Sequence, residues 1–217
     1  MIGSGRIGST VARLAVASGH QVVLSNSRGP QTLAGLVAEL GPPASAATVE
    51  QAATAGDIVV VAIPTKAVTN LPSAALVGKA VIDTGNYYSP RDGQIPELDG
   101  KELTDSEYTQ RFIPGAYVVK AMNSILFSHL QNLARPADAA DRSHLPIAGD
   151  DELAKATVAS FLNEIGYGTV DSGSLSEGWR QQYGTPACGG VYGPSENEKG
   201  RPAGADVIRA ALAAATR

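Results

Sequence analysis

Met1-Ile2-Gly3-Ser4-Gly5-Arg6-Ile7-Gly8 opens the chain, and its reading decides the fold. Three glycines stand at GxGxxG spacing. The segment runs directly into Ile7–Ser18, where Ile7, Val11, Leu14, Ala15 and Ala17 recur at helical spacing before Gly19. A β-branched run, Val22-Val23-Leu24, follows. In a βαβ unit of this kind the first glycine makes a tight turn, the second lets the backbone approach a pyrophosphate, and the third lets helix and strand pack closely. The helix N-terminus adds unpaired N–H groups and the positive end of its dipole. Only Met1 and Ile2 stand ahead of Gly3, so the strand before the turn is expected to be very short or to start upstream.

The alternation continues outward. Thr32–Leu40 and Val49–Ala55 have helical patterns, and Ile58–Ile63, Val81-Ile82 and Val118-Val119 are short, continuous apolar runs. Such runs suit strands buried on both faces of a parallel sheet. Pro90–Glu107 reads as an irregular excursion. Beyond it, Leu145–Ala148 and Thr169-Val170 read as strands, and Asp150–Ile165, Ser174–Tyr183 and Ala205–Ala215 as helices. Pro186–Pro202 is a Gly/Pro-rich loop. The fold class expected is α/β: a Rossmann-type, doubly wound, mostly parallel sheet with helices on both faces. Residues 1–180 form the dinucleotide-binding part, and residues 181–217 a small annex of loop and helix in the same compact unit.

Composition narrows the function. With 217 residues the chain can bury a core without disulfides. Its formal net charge of −4, from 17 basic and 21 acidic residues, argues against a nucleic-acid surface. One cysteine, Cys188, excludes an intrachain disulfide, and three scattered histidines show no ligand spacing, so no metal site is expected. No run is long enough to span a membrane, and no export signal is visible, which makes a reducing cytoplasm the expected compartment.

The residues after β-run Val22–Leu24 address the cofactor. Sites for NAD place an acid there to hold the ribose hydroxyls. This chain has Ser25-Asn26-Ser27-Arg28, with no acid to repel a 2′-phosphate, while Arg28 offers a charged fork and Arg6 a second positive charge. NADP(H) is therefore expected over NAD. Ligands in such sheets bind beyond the carboxyl ends of the strands. Three loops should meet there, Pro64–Val68, Thr84–Tyr88 and Ala121–Ser124. The cofactor-binding residues expected are Gly3, Ser4, Gly5, Arg6, Ile7, Asn26, Ser27, Arg28, Ile63, Pro64, Asn86, Ala121 and Asn123.

Several ordered stretches resemble the family of deazaflavin (coenzyme F-420):NADP oxidoreductases. They are Ile2–Gly8 with Ser27-Arg28, Asp57–Pro64, Val118–Ile125, Ile147–Asp151 and Asp171–Leu175, together reaching over roughly residues 2–180. Two features depart from it. Asn123 stands where deazaflavin enzymes tend to have His, and Asp83–Asn86 with Lys120–Asn123 is closer to the reductase domain of six-transmembrane metalloreductases, which pass hydride from NADPH to a flavin. The tail after Trp179 differs as well. The resemblance implies NADPH and hydride transfer, with a flavin or deazaflavin as acceptor.

Such a transfer is mostly positioning and needs no side-chain acid. Asn123 and Lys120 are the candidate catalytic residues. Should the acceptor be an imine, carbonyl or enone, a proton donor helps, with Lys120, Tyr87 and Tyr183 available. A non-catalytic NADP-binding sensor is the alternative from another class. Cys188 lacks a neighbouring base, and Asp150–Glu152 reads as a helix start. The partner expected is a small-molecule or flavin-type acceptor, with a homodimer sharing the tail.

Overall fold

The computed structural model describes residues 1–217. Seven strands form: β1 Val22–Leu24, β2 Ala44–Ala46, β3 Ile58–Val61, β4 Ala80–Asp83, β5 Tyr117–Lys120, β6 His144–Gly149 and β7 Gly168–Asp171. β1 pairs in parallel with β2, and β3, β4 and β5 pair in parallel with one another. β6 runs antiparallel to β5, and β7 parallel to β6. Ile2 joins the two groups, bridging Ser25 on one side and Val61 on the other. The spatial order is thus β2-β1-Ile2-β3-β4-β5-β6-β7.

The strand ahead of the glycine turn is short here but makes ladder bonds on both flanks. Ile2 N donates to Val60 O at 2.8 Å and Ile2 O accepts from Ala62 N at 2.8 Å. On the other flank Ser25 N donates to Met1 O at 2.9 Å and Gly3 N to Ser25 O at 3.0 Å.

Alternate residues of the strands feed two separate apolar layers, as a sheet buried on both faces requires. Leu24, Val60, Ile82, Val119 and Leu145 pack on one face with the helices Arg6–Ala17, Glu152–Glu164 and Ala205–Ala213. Ile2, Val59, Val61, Val81 and Val118 pack on the other with Ala53, Leu76 and Ile113. Each such aliphatic side chain contributes about 1.5–3 kcal/mol when fully buried. The final helix belongs to this core through Ile208, Ala211 and Leu212.

The structure corrects several elements. Pro90–Glu107 is not irregular throughout: Ser89–Asp92 and Pro96–Asp99 are single helical turns, and a true helix spans Asp105–Phe112. Thr104 starts it with a capping box, its side chain accepting from Glu107 N while Glu107 accepts from Thr104 N. Ser174–Tyr183 is a 3-10 helix over Leu175–Gln181, and Thr32–Leu40 begins as a 3-10 turn, Pro30–Leu33. Strand β2 and the Phe127–Asn132 helix were not expected.

Candidate functional site

The three glycines of the opening turn do different work. Gly3 has φ +97°, and a Cβ there would run into the Ala62 carbonyl; one at Gly8 would fall on the Gly3 carbonyl oxygen. Only glycine fits either place. Gly5 has open space where its Cβ would point. The Arg6–Ala17 helix starts at Gly5 with no side-chain cap and no acid in its first turn, so its first N–H groups remain available to an anion. Ser4 turns inward, Oγ donating to Ser25 O at 2.8 Å.

Arg28 and Ser27 are exposed after β1. Asn26 shapes the loop instead: Oδ1 accepts from Arg28 N at 2.9 Å and Nδ2 donates to Thr32 Oγ1 at 2.9 Å.

A cleft of about 360 Å³ lies at the carboxyl ends of β3, β4 and β5. Gly5, Arg6 and Ile7 of the glycine turn line it together with Ile63, Pro64, Asn86 and Asn123. The sheet thus brings the three expected loops to one place. Ala121 is fully buried and stays out of it. Arg91, Met122, Ile125 and Phe127 also line the cleft and were missed from sequence. Arg91 sits on a helical turn, Met122 and Ile125 in the loop after β5 and Phe127 at a helix start, and the local pattern does not encode where these side chains point. Arg6 stacks over the Phe127 ring at 5.1 Å.

Below the cleft floor is a cluster of buried charges. Lys120 Nζ donates to Gly85 O at 2.9 Å and lies 3.4 Å from Ser106 Oγ and 3.7 Å from Asp105 Oδ2. Asp83 accepts from Gly85 N at 2.8 Å and from Ser106 Oγ at 2.9 Å. Asp105 accepts from Tyr87 N at 3.0 Å. The three charges therefore grip Gly85 and Tyr87 and leave Asn86 between them facing the cleft. Burial pushes the Asp105 carboxyl above its usual range, against the pull of Lys120.

This arrangement corrects the catalytic reading of Lys120. Its side chain has no exposed surface and does not line the cleft, so it positions a loop rather than meeting substrate. Tyr87 is likewise committed, its hydroxyl donating to Asp99 Oδ1 at 2.8 Å and accepting from Ile95 N at 3.1 Å. Tyr183 is exposed and outside the cleft.

Asn123 is braced on all sides. Nδ2 donates to Asn86 Oδ1 at 2.9 Å and to Gln181 O at 2.6 Å, while Oδ1 accepts from Gln181 Nε2 at 3.2 Å. Gln181, fully buried, was missed; nothing local in Leu175–Gln181 marks a residue that reaches β5 and β6. The tail folds back onto its own chain, Gly189 N donating to Ser124 O at 2.7 Å and His144 N to Ala203 O at 2.8 Å. Burial raises the Cys188 thiol to about 11, which keeps it protonated and unreactive. Asp151 caps the Glu152–Glu164 helix by accepting from Ala154 N at 2.8 Å.

A dinucleotide fits this chain on three observations: the open face of Gly5, the uncapped helix start, and a cleft that continues from them to an apolar wall at Ile63 and Pro64. Comparison with known proteins agrees. Residues 1–87 match the family model described as NADP oxidoreductase, coenzyme F-420-dependent. Among solved structures the chain is similar to a hypothetical protein from Sinorhizobium meliloti, at 30% identity and a TM-score of 0.72, over 86% of this chain and 90% of that one. It is similar to a candidate F-420-dependent NADP reductase from an Arthrobacter species at 27% identity and a TM-score of 0.66, over 80% of this chain and 83% of that one. It shares a fold with an imine reductase from Bacillus cereus, at 19% identity and a TM-score of 0.57, over 81% of this chain and 54% of that one. With the glycine turn, the cleft and these similarities in agreement, residues 1–87 belong to the NADP oxidoreductase family described as coenzyme F-420-dependent, and the chain is an NADP-dependent oxidoreductase.

Proposed function

We propose that this protein passes hydride between NADP(H) and the ring of a flavin or deazaflavin, and that it prefers NADP to NAD. The observation that carries the reading is the cleft lining. Among its fifteen lining residues there is no carboxylate, imidazole, thiol, lysine or phenol. Reduction of an imine or carbonyl benefits from a proton donor, whereas hydride transfer to a flavin-type ring needs two rings held close and water excluded.

Bound NADPH would supply the hydride. The chain's own residues would hold and orient it. Gly3, Ser4, Gly5, Arg6 and Ile7 would take the pyrophosphate at the helix start, Ser27 and Arg28 the 2′-phosphate, and Asn26 would shape their loop. Ile63 and Pro64 would back the nicotinamide, with Asn86 held at its edge by Asn123. The similarity to the candidate F-420-dependent reductase supports a deazaflavin, since it extends over 83% of that chain. The imine reductase is matched over only 54% of its length, and its likeness is one of fold.

The test is NADPH oxidation without oxygen, with the deazaflavin coenzyme, FAD, FMN and a cyclic imine offered separately. Turnover with a flavin or deazaflavin, and none with the imine, is expected. Turnover with the imine alone overturns the reading, and tight NADPH binding with no turnover makes the protein a sensor. A homodimer in the cytoplasm is part of the proposal, with the exposed Tyr88–Tyr183 pair, 5.7 Å apart, as the surface it would bury. A monomer mass by light scattering counts against it. No helix is long and apolar enough to cross a membrane.

A further inference from the structure

We infer that Arg91 is a specificity residue that receives an anionic group of the acceptor, so that the protein selects acceptors carrying an oxyanion such as a phosphate. The inference rests on the reading of the cleft as a hydride-transfer site and names a property of the acceptor which that reading leaves open.

Arg91 lies on the single helical turn Ser89–Asp92, just past the gripped Gly85–Tyr87 segment. Its guanidinium is held along one edge. Nε and Nη2 donate to the two oxygens of Asp92 at 3.1 and 2.7 Å, and Nη2 also donates to Asn86 O at 2.6 Å. The Asp92 side chain has no exposed surface and accepts a further bond from Tyr88 N at 3.0 Å. An ordinary surface arginine samples many rotamers; this one is fixed by a buried carboxylate and a loop carbonyl. Its second edge, Nη1 with two N–H groups, has no protein partner, and the residue lines the cleft. A fixed, half-exposed fork with two free donors is prepared for an oxyanion, because little ordering remains to be done on binding.

The cofactor's own phosphates do not account for it. The glycine turn follows Ile2, and Arg91 follows β4, two strands along in the order Ile2-β3-β4. Neighbouring strands lie about 4.8 Å apart, so the chain leaves the sheet toward Arg91 roughly 10 Å from where it enters the glycine turn. The helix start and Arg6 lie at the glycine-turn end of the cleft, and Arg91 lines it from beyond β4. No carboxylate in the cleft lining opposes an anion there.

FMN and riboflavin carry the same ring and differ in one phosphate. Their binding to the protein saturated with NADP+, read by flavin fluorescence, tests the inference directly. FMN is expected to bind about 10- to 100-fold tighter than riboflavin, the range of a charge-assisted contact. Arg91→Met alone would strand the buried Asp92 carboxylate, so the variant is Arg91→Met with Asp92→Asn. In it the ratio is expected to fall near one. If that pair fails to fold, Arg91→Lys, which keeps the charge but not the fork, should still lower the ratio. Equal binding of FMN and riboflavin to the native protein, no binding of either, or a ratio that survives the substitutions overturns the inference. A loss of NADPH affinity as large as the loss for FMN also overturns it, by making Arg91 a cofactor residue. Failure of the hydride-transfer reading is seen separately: NADPH then does not bind, or is not oxidised by any flavin. FMN and riboflavin reduced equally well would leave that reading standing and this inference refuted.

Discussion

Asn86 and Asn123 are bonded to each other twice: Asn123 Nδ2 donates to Asn86 Oδ1 at 2.9 Å, and Asn86 Nδ2 donates to the Asn123 carbonyl at 2.7 Å. The pair ties the loop after β4 to the loop after β5 across the cleft floor, and Gln181 locks it from below. Asn123→Ala should cost about 1–3 kcal/mol, because Asn86 Oδ1 and the Gln181 amide lose a partner inside the protein. Asn123→Asp should be worse. It would set a carboxylate against Asn86 Oδ1 and Gln181 O, both acceptors. Thermal melts of the two variants check the order, and equal losses would mean that the amide donor is unimportant.

Lys120 should behave as a structural cation. Removing it in Lys120→Met leaves Asp105 buried with no positive partner and frees Gly85 O. A loss of about 3–5 kcal/mol is expected, the usual result of breaking a buried pair on one side. Lys120→Met combined with Asp105→Asn should recover part of that loss. In the recovered protein NADPH should still be oxidised, with a raised KM from a looser loop. A recovered fold with kcat reduced a thousandfold and KM unchanged would return Lys120 to the chemistry.

How much of this was legible beforehand follows from how far apart the interacting residues lie. The βαβ opening is local: glycine spacing, helix periodicity and a β-branched run all sit within Met1–Leu24, and the structure keeps each of them. The Asp105–Phe112 helix was also legible, since Thr104 and Glu107 stand at capping-box spacing, but the surrounding Gly and Pro drew the reading toward a loop. The Lys120 cluster was not. Asp83, Asp105, Ser106 and Lys120 come from β4, a helix and β5, and a lone lysine at a strand end reads the same whether it reaches a substrate or a buried carbonyl. Gln181 and Arg91 were hidden for a similar reason, since each acts through contacts that only the folded loops create.

Cofactor choice should reside in Arg28. It is exposed after β1 with no carboxylate in Ser25–Thr32, and Asn26 holds its backbone N–H in a turn that presents the following residues outward. Arg28→Ala should weaken NADPH binding about 10- to 100-fold and leave NADH binding nearly unchanged, because only NADPH carries the 2′-phosphate. Arg28→Lys should fall between, keeping the charge and losing the fork. Titration of nicotinamide fluorescence with both cofactors measures this, and an unchanged NADPH Kd in Arg28→Ala would place 2′-phosphate recognition elsewhere.

Stability should depend on pH through His144. Burial lowers the pKa of its imidazole below the usual 6.5. The folded state then binds fewer protons there than the unfolded one near that pH. This contribution therefore rises with pH through the window and is lost as pH falls below it. Melts from pH 5 to 8 on the native protein and His144→Gln check this: the substitution should flatten the slope, and an unchanged slope would mean that His144 does not carry the dependence.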